Sequence, residues 1–286
     1  MQNNSNNIWD IVITPDRGWF EFNLREIWQY RDLLKIYIHR NIVTQYKQTI
    51  FGPLWIIIPP ILTTLVFTVI FGNIADLPTD GLPKPLFYMA GIITWNYFST
   101  ALTSTSNSLA GNAGIYGKVY FPRIIMPLAT LISSLVRYFI QLILFICLLG
   151  YYIINNSSGI EIQFHLLWLL PILIIIMGIQ GLGFGLLFSA ITSKYRDIRF
   201  LIGFGVRLLM YASPVIFPLS IVPEKYEWII LVNPMSAVIE SFRYMVFGVG
   251  QISINSILYS IIFTGALFSL GYLIFNQTEK DFIDNA

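Results

Sequence analysis

Apolar runs with at most one charged residue recur along the chain at 54 to 72, 86 to 107, 127 to 152, 166 to 190, 200 to 218 and 253 to 275. Each approaches the roughly 20 residues a helix needs to cross a bilayer's hydrocarbon core. The pattern predicts an all-α integral membrane protein with six transmembrane helices, and an even number returns both termini to one side. Ahead of the first run, NLREIWQYRDLLKIYIHRNIVTQYKQ places Leu24, Ile27, Trp28, Leu34, Ile38, Ile42 and Tyr46 near one helical face, with most charges elsewhere. This segment reads as an amphipathic interface helix, opened by Asn23 with Glu26 three residues on, and closed by Gly52 and Pro53. Its basic residues include Arg25, Arg31, Lys35 and Arg40. Two readings fit it: a helix that merely lies at the membrane surface, and a collar that also docks a cytoplasmic partner. After the fifth run, two apolar stretches too short to span are broken by Pro223, Asn233 and Pro234. Such pieces suit re-entrant helices, which makes Asn233, Pro234, Glu240 and Arg243 candidates for an outer gate; an interfacial hairpin with only a packing role is the plainer alternative. The chain thus divides into a cytoplasmic N-terminal segment, 1–53, and a six-span membrane domain, 54–286.

Composition agrees: of 286 residues 56% are hydrophobic and 11% charged, with a mean hydropathy of +0.68, more apolar than one soluble core needs. Charge placement then orients the spans. The N-terminal segment, the loops at 108 to 126 and 191 to 199 and the C-terminal tail carry 12 of the 17 Lys and Arg, while Lys84, Lys225 and Arg243 fall on the other face. The positive-inside rule therefore puts both termini in the cytoplasm. A net charge of +2 without a long basic run argues against a nucleic-acid partner. The lone Cys147 excludes an intramolecular disulfide and a cysteine-based zinc site, and the N-terminus does not read as a cleaved signal peptide.

No chemistry of energy conversion is evident. GNAGIYGKV at 111 to 119 misses a phosphate-binding loop, because five residues rather than four separate Gly111 from Gly117 and Val119 replaces the metal-binding hydroxyl. GIQGLGFG at 178 to 185 sits inside an apolar run, where Gly181 and Gly185 suit close helix packing. None of the six runs holds Asp, Glu or His, the usual carriers in ion-coupled transport. Glu240 is nearest, three residues before Arg243 and able to pair with it. His39 and His165 fall on opposite sides of the membrane, so no shared metal or acid-base site forms, and no catalytic residue or cofactor site is assigned. Arg137 and Arg207 lie inside runs, where an arginine costs about 2.5 to 3.5 kcal/mol. They face either backbone carbonyls and neighbouring helices or an anionic group of a passing substrate. Among 45 aromatic residues, Tyr88, Trp95, Tyr97, Phe98, Tyr211 and Phe217 cluster near predicted interfaces. They read as an aromatic belt or as sliding faces for sugars.

Several segments together resemble a known family: QYKQTIFGPLW (45 to 55), KVYFPRIIMPLA (118 to 129), YRDIRFLIGFGVRLLMYASPVIFPLS (195 to 220), NPMSAVIESFRYMVFG (233 to 248) and the ending EKDFIDNA. In order and spacing they are similar to the membrane subunits of ATP-binding-cassette exporters of lipid-linked polysaccharides, such as O-antigen and teichoic-acid exporters. The resemblance implies a homodimeric permease of the bacterial inner membrane. A separate ATPase subunit would bind ATP and Mg, and a lipid-linked glycan would be the cargo. It also implies a coupling helix near Ile115 to Arg123, with Ile115, Tyr116, Lys118, Tyr120, Phe121 and Arg123 toward the ATPase; an ordinary positive-inside anchor is the plainer reading of that loop. Spans one and five would line the path, with Pro59 and Pro60 kinking span one, and the re-entrant helices would close the outer mouth. An exporter of a small amphiphile or drug has the same hydropathy and stands as the alternative. A membrane-embedded transferase would need acids or histidines gathered at one membrane face, and the sequence has none so placed.

Overall fold

A computed structural model describes residues 24–47, 49–116, 121–155, 162–195, 197–250 and 253–284. Among these residues every regular element is helical. Two short helices, α1 (Leu24–Gln29) and α2 (Arg31–Tyr46), lead into an irregular apolar helix. This begins as a 3-10 turn (Gly52–Ile56), continues as α3 (Ile58–Phe67) and ends as a π-helix (Thr68–Ile74). There follow α4 (Lys84–Ser106), the short α5 (Ser108–Gly111) and α6 (Ala113–Tyr116), α7 (Ile125–Ile154), α8 (Leu169–Lys194), α9 (Ile198–Tyr211), α10 (Glu224–Val232), α11 (Pro234–Phe247) and α12 (Ile254–Asp284).

Four of these stretches are long and apolar enough to cross a membrane: Gly52–Ile74, Ile125–Ile154, Leu169–Lys194 and Ile254–Thr278. A fifth exists if α10 and α11, bent by 102° at Asn233, count as one broken span. The six-run expectation differs from this at two places. Run 86 to 107 forms α4, yet its Thr and Ser content leaves it too polar to qualify by composition. Run 200 to 218 yields only the 14 residues of α9, about 21 Å of helix. It ends there because Pro214 disfavours helical geometry at Ser213 and supplies no N–H of its own. The expected kink at Pro59 and Pro60 is also displaced. Both fall in the first turn of α3, where a missing N–H breaks no helical bond, and the irregularity appears instead as the 3-10 to α change at Ile57. The interface helix, expected as one piece, is divided at Tyr30, and its proposed cap Asn23 lies outside the described residues.

The polar α4 is stable because it is enclosed, touching α3, α7, α8, α9 and α11. Thr94 and Thr103 return their hydroxyls to the carbonyls of Ala90 and Ser99 at 2.7 Å, which satisfies them without water. α8 lies between α4 and α12, and 67% of its most apolar window is buried, against 22% in the helix that contains α3. Glycine sets these distances. A Cβ on Gly181 would stand 2.6 Å from Ala101 Cβ and 2.9 Å from Phe98 O, and one on Gly183 would stand 3.1 Å from the Phe268 nitrogen. The small residues foreseen at 181 and 185 thus hold α8 against α4. Side-chain bonds fasten the same seams: Thr192 Oγ1 donates to Ser106 O at 2.6 Å, and Gln180 Nε2 donates to Ser260 Oγ and Thr264 Oγ1, both at 2.9 Å. Replacing Gly181 by Ala should therefore destabilise the fold by about 1–3 kcal/mol through overpacking. Gly265→Ala, on α12 with nothing within 4 Å of the new Cβ, should be neutral or slightly stabilising; thermal unfolding of the two purified variants in detergent makes the comparison.

Candidate coupling face and outer gate

The interface helix is fastened to the segment expected to couple. Tyr37 of α2 is buried with Phe121, Ile125, Met126 and Ala129, and Leu33, Leu34, Ile38 and Ile115 pack around them. The Tyr37 and Phe121 rings lie 6.0 Å apart. Ile27 of α1 packs against a second cluster formed by Leu109, Ile124, Leu182, Leu186 and Phe275. The predicted apolar face therefore holds at Ile27, Leu34 and Ile38. It fails at Trp28, which is 69% exposed, and Tyr37 takes the central buried position instead. Arg25, Arg31 and Lys35 point outward. Arg31 lies over the Trp28 ring at 5.5 Å. Lys35 Nζ meets Asp32 Oδ1 at 3.0 Å, which holds the Asp32 carboxyl below its usual range. Arg40 turns inward, stacks over Tyr37 at 4.6 Å and donates from Nη2 to Asn112 Oδ1 at 3.2 Å.

Of the six coupling candidates, Lys118 and Tyr120 lie outside the described residues, and Ile115 and Tyr116 sit on α6. Phe121 and Arg123 differ from the expectation, since both are buried. Phe121 is drawn in by its apolar ring against Tyr37, which anchors this end of the loop to α2.

The aromatic candidates on α4 are likewise enclosed. Tyr88, Trp95, Tyr97 and Phe98 are all buried in the main core, with Tyr97 packed on Tyr138 at 5.1 Å and Phe98 on Phe184 at 6.2 Å. Their ring faces are covered within the protomer and offer no sliding surface there. Tyr211 and Arg207 remain exposed on α9, and Phe217 is half-buried. Arg137 lines one cavity with Arg40, although the two arise on different elements.

The α10–α11 bend is built around one hinge. Asn233 caps α11, its Oδ1 accepting the Met235 N–H at 3.1 Å while Nδ2 donates to Ser213 Oγ at 2.8 Å. Pro234 follows at the first helical position, where it fits without loss. Ser260 Oγ donates to Pro234 O at 3.0 Å, and Tyr259 OH to Val232 O at 2.9 Å. One short motif thereby joins the end of α9, the α10–α11 bend and α12. Further along α11, Arg243 is fully enclosed: Nη1 meets Glu240 Oε1 at 3.2 Å, Nη2 donates to Val215 O at 3.0 Å, and the guanidinium lies 3.6 Å from the Phe87 ring centre. A chain of ring contacts leads from here to the surface, through Phe87, Tyr88, Phe67 and Tyr211 at centroid separations of 5.5, 6.1 and 6.5 Å.

A family model described as "ABC-2 type transporter" matches residues 32–247, most of the chain and all of the architecture just described from α2 to α11. The chain belongs to the ABC-2 type transporter family. Relatives of this ABC-2 protein include an O-antigen export system permease protein RfbA of Klebsiella pneumoniae, 29% identical over 255 residues, covering 88% of this chain and 94% of that protein. The polysialic acid transport protein KpsM of Escherichia coli is 26% identical over 250 residues, covering 84% and 91%. RfbA of Myxococcus xanthus is 24% identical over 223 residues, covering 77% and 82%.

Sequence reasoning missed two features of this ABC-2 chain. Gln180 was visible as the one amide in an apolar run, a signal for an interhelical bond, whereas nothing in the spacing of Arg40 and Arg137 indicates that they converge. The buried pair gives a direct stability expectation. Glu240→Leu alone strands Arg243 and should lower stability by about 3–5 kcal/mol, while Glu240→Leu with Arg243→Met should recover most of the loss; chemical or thermal unfolding of the two variants decides it.

Proposed function

We propose that this chain is the membrane subunit of an ATP-driven exporter that moves a lipid-linked polysaccharide across the bacterial inner membrane. The observation that carries the proposal is the joint between α2 and the coupling segment through Tyr37 and Phe121, in a chain whose relatives are named for O-antigen export and polysialic acid transport. A force applied to the 115 to 123 loop by a cytoplasmic ATPase would pass through this joint to α2 and the start of α7. The ATPase would bind ATP and Mg. The working unit is a homodimer in which each chain crosses the membrane six times, with α4 and α9 completing the count and α10–α11 re-entering from the outer face. Both termini are cytoplasmic, residues 1–53 form the cytoplasmic segment, and residues 54–286 form the permease domain. Arg25, Arg31 and Lys35 present positive charge to the ATPase side. Arg207, Tyr211 and Phe217 on and after α9 border the path, and the Asn233 hinge with the Glu240–Arg243 pair supports the outer gate.

Purification of the tagged chain from its native membrane in mild detergent should bring down an ATPase subunit at about one per chain. Recovery of the chain alone, under conditions that keep comparable complexes together, would overturn the ATP-driven reading. Within the purified complex, Lys118→Glu should leave ATPase activity measurable but abolish its stimulation by the glycan substrate; unchanged coupling would remove Lys118 from the contact. Topology is read by cysteine labelling in a Cys147-free chain, where a cysteine at 157 should react from outside and one at 194 only after the membrane is opened.

A further inference from the structure

We infer that the cavity between α2, the α5–α6 turn and α7 is a binding site for a phosphate group, with Arg40 and Arg137 as its cationic walls. The cavity measures about 600 Å³, within the roughly 300–1,000 Å³ typical of small-molecule sites. Two guanidiniums reach it from elements distant in sequence, and its described lining contains no Asp or Glu. The remaining polar walls are hydroxyl and amide groups, among them Asn41, Thr44 and Ser104.

Arg40 is held ready for such a ligand. Its plane is fixed over Tyr37, and one N–H is directed to Asn112. A guanidinium so oriented presents the rest of its five-donor fork, whose geometry matches phosphate oxygens in pairs. Arg137 lies 12 residues beyond the start of α7, about 18 Å along the helix axis, and its side chain leans back toward that start. The site is therefore reached from the α2 end of the bundle. That this end meets the cytoplasmic leaflet rests on the topology proposed above, whereas the anion site itself does not. Phosphate chemistry is available there from two sources, the headgroup of a lipid in the leaflet and free inorganic phosphate.

The test uses the full chain in nanodiscs of phosphatidylcholine alone or doped with phosphatidic acid, with inorganic phosphate titrated into the former at fixed ionic strength. Binding is read as a shift in Tm. Phosphatidic acid should stabilise the unaltered chain and the control Lys225→Gln alike. Its apparent affinity should fall about tenfold or more in Arg40→Gln, as expected for losing a charge-assisted bond. Arg137→Gln should behave similarly, while Arg40→Lys, which keeps the charge and loses the fork, should fall between. Unfolding of each variant before phosphate is added shows whether the bundle is intact. If inorganic phosphate alone reproduces the shift with the same arginine dependence, the site stands and its ligand is free phosphate. Equal binding in Arg40→Gln, Arg137→Gln and the unaltered chain, or no response to either source, overturns the proposal. Recovery of the ATPase partner is a separate readout, so this site and the exporter reading fail independently.

Discussion

The close approach of α8 to α4 on one side and to α12 on the other is the constraint on which the remaining structure depends. In a bilayer the hydrophobic effect offers little reason for helices to associate, because lipid tails are as apolar as leucine. Association has to come from contact and from polar groups that find partners only in each other. Here Gly181 and Gly185 bring α8 against the backbone of α4, and Gly183 brings it against α12. Gln180 then reaches Ser260 and Thr264, while Ser189 meets Ser108 at 3.2 Å. Each bond satisfies a group that would be stranded in lipid. The same seam brings Phe275 into one cluster with Leu182, Leu186, Leu109 and Ile124, and Ile27 of α1 packs against that cluster.

At the opposite end the design changes from small residues to a hinge with fixed ends. Asn233 and Pro234 produce the 102° turn between α10 and α11; Asn233 Oδ1 caps α11, while Asn233 Nδ2 and Pro234 O are tied to Ser213, just beyond α9, and to Ser260 on α12. Movement of either helix is therefore felt at the bend. The ring contacts from Tyr211 through Phe67 and Tyr88 to Phe87, ending on the Arg243 guanidinium, connect the exposed face of α9 to the same element. This is a continuous packed route between the surface and the gate. The buried Glu240–Arg243 pair contributes position more than net stability, since desolvation offsets much of its attraction.

Much of this was legible along the chain. The long apolar helices, the small residues at 181 and 185, the breaks at Pro223, Asn233 and Pro234 and the Glu240–Arg243 spacing all depend on local pattern, and local pattern carries them. The rest required knowledge of neighbours. α4 reads as a span from its uncharged length, yet its threonines and serines are tolerable only because other helices enclose it. Trp28 fits the apolar face of an ideal helix, but the surface waiting to cover that helix is centred on Tyr37, because Phe121 rises to meet it. Phe121 and Arg123 fall in a basic loop that resembles a contact surface, and only tertiary packing reveals that they turn inward. Arg40 and Arg137 share a cavity through the meeting of α2 with α7, a relation for which sequence spacing holds no signal.

The tightness of the bundle also restricts what its described core can admit. Tyr88, Trp95, Tyr97 and Phe98 are packed among neighbouring rings, and a single added methyl at Gly181 or Gly185 already collides with α4. The outer surfaces of α3 and α7 are dominated by residues such as Leu62, Leu65, Ile143 and Ile146, which suit lipid or another apolar surface. On α9, by contrast, Arg207 and Tyr211 stand exposed among leucines, and Tyr211 lies at the end of the aromatic route to Arg243. An exposed arginine at that depth needs water, headgroups or an anion around it. The face of α9 is thus where polar surface is both available and connected to the hinge.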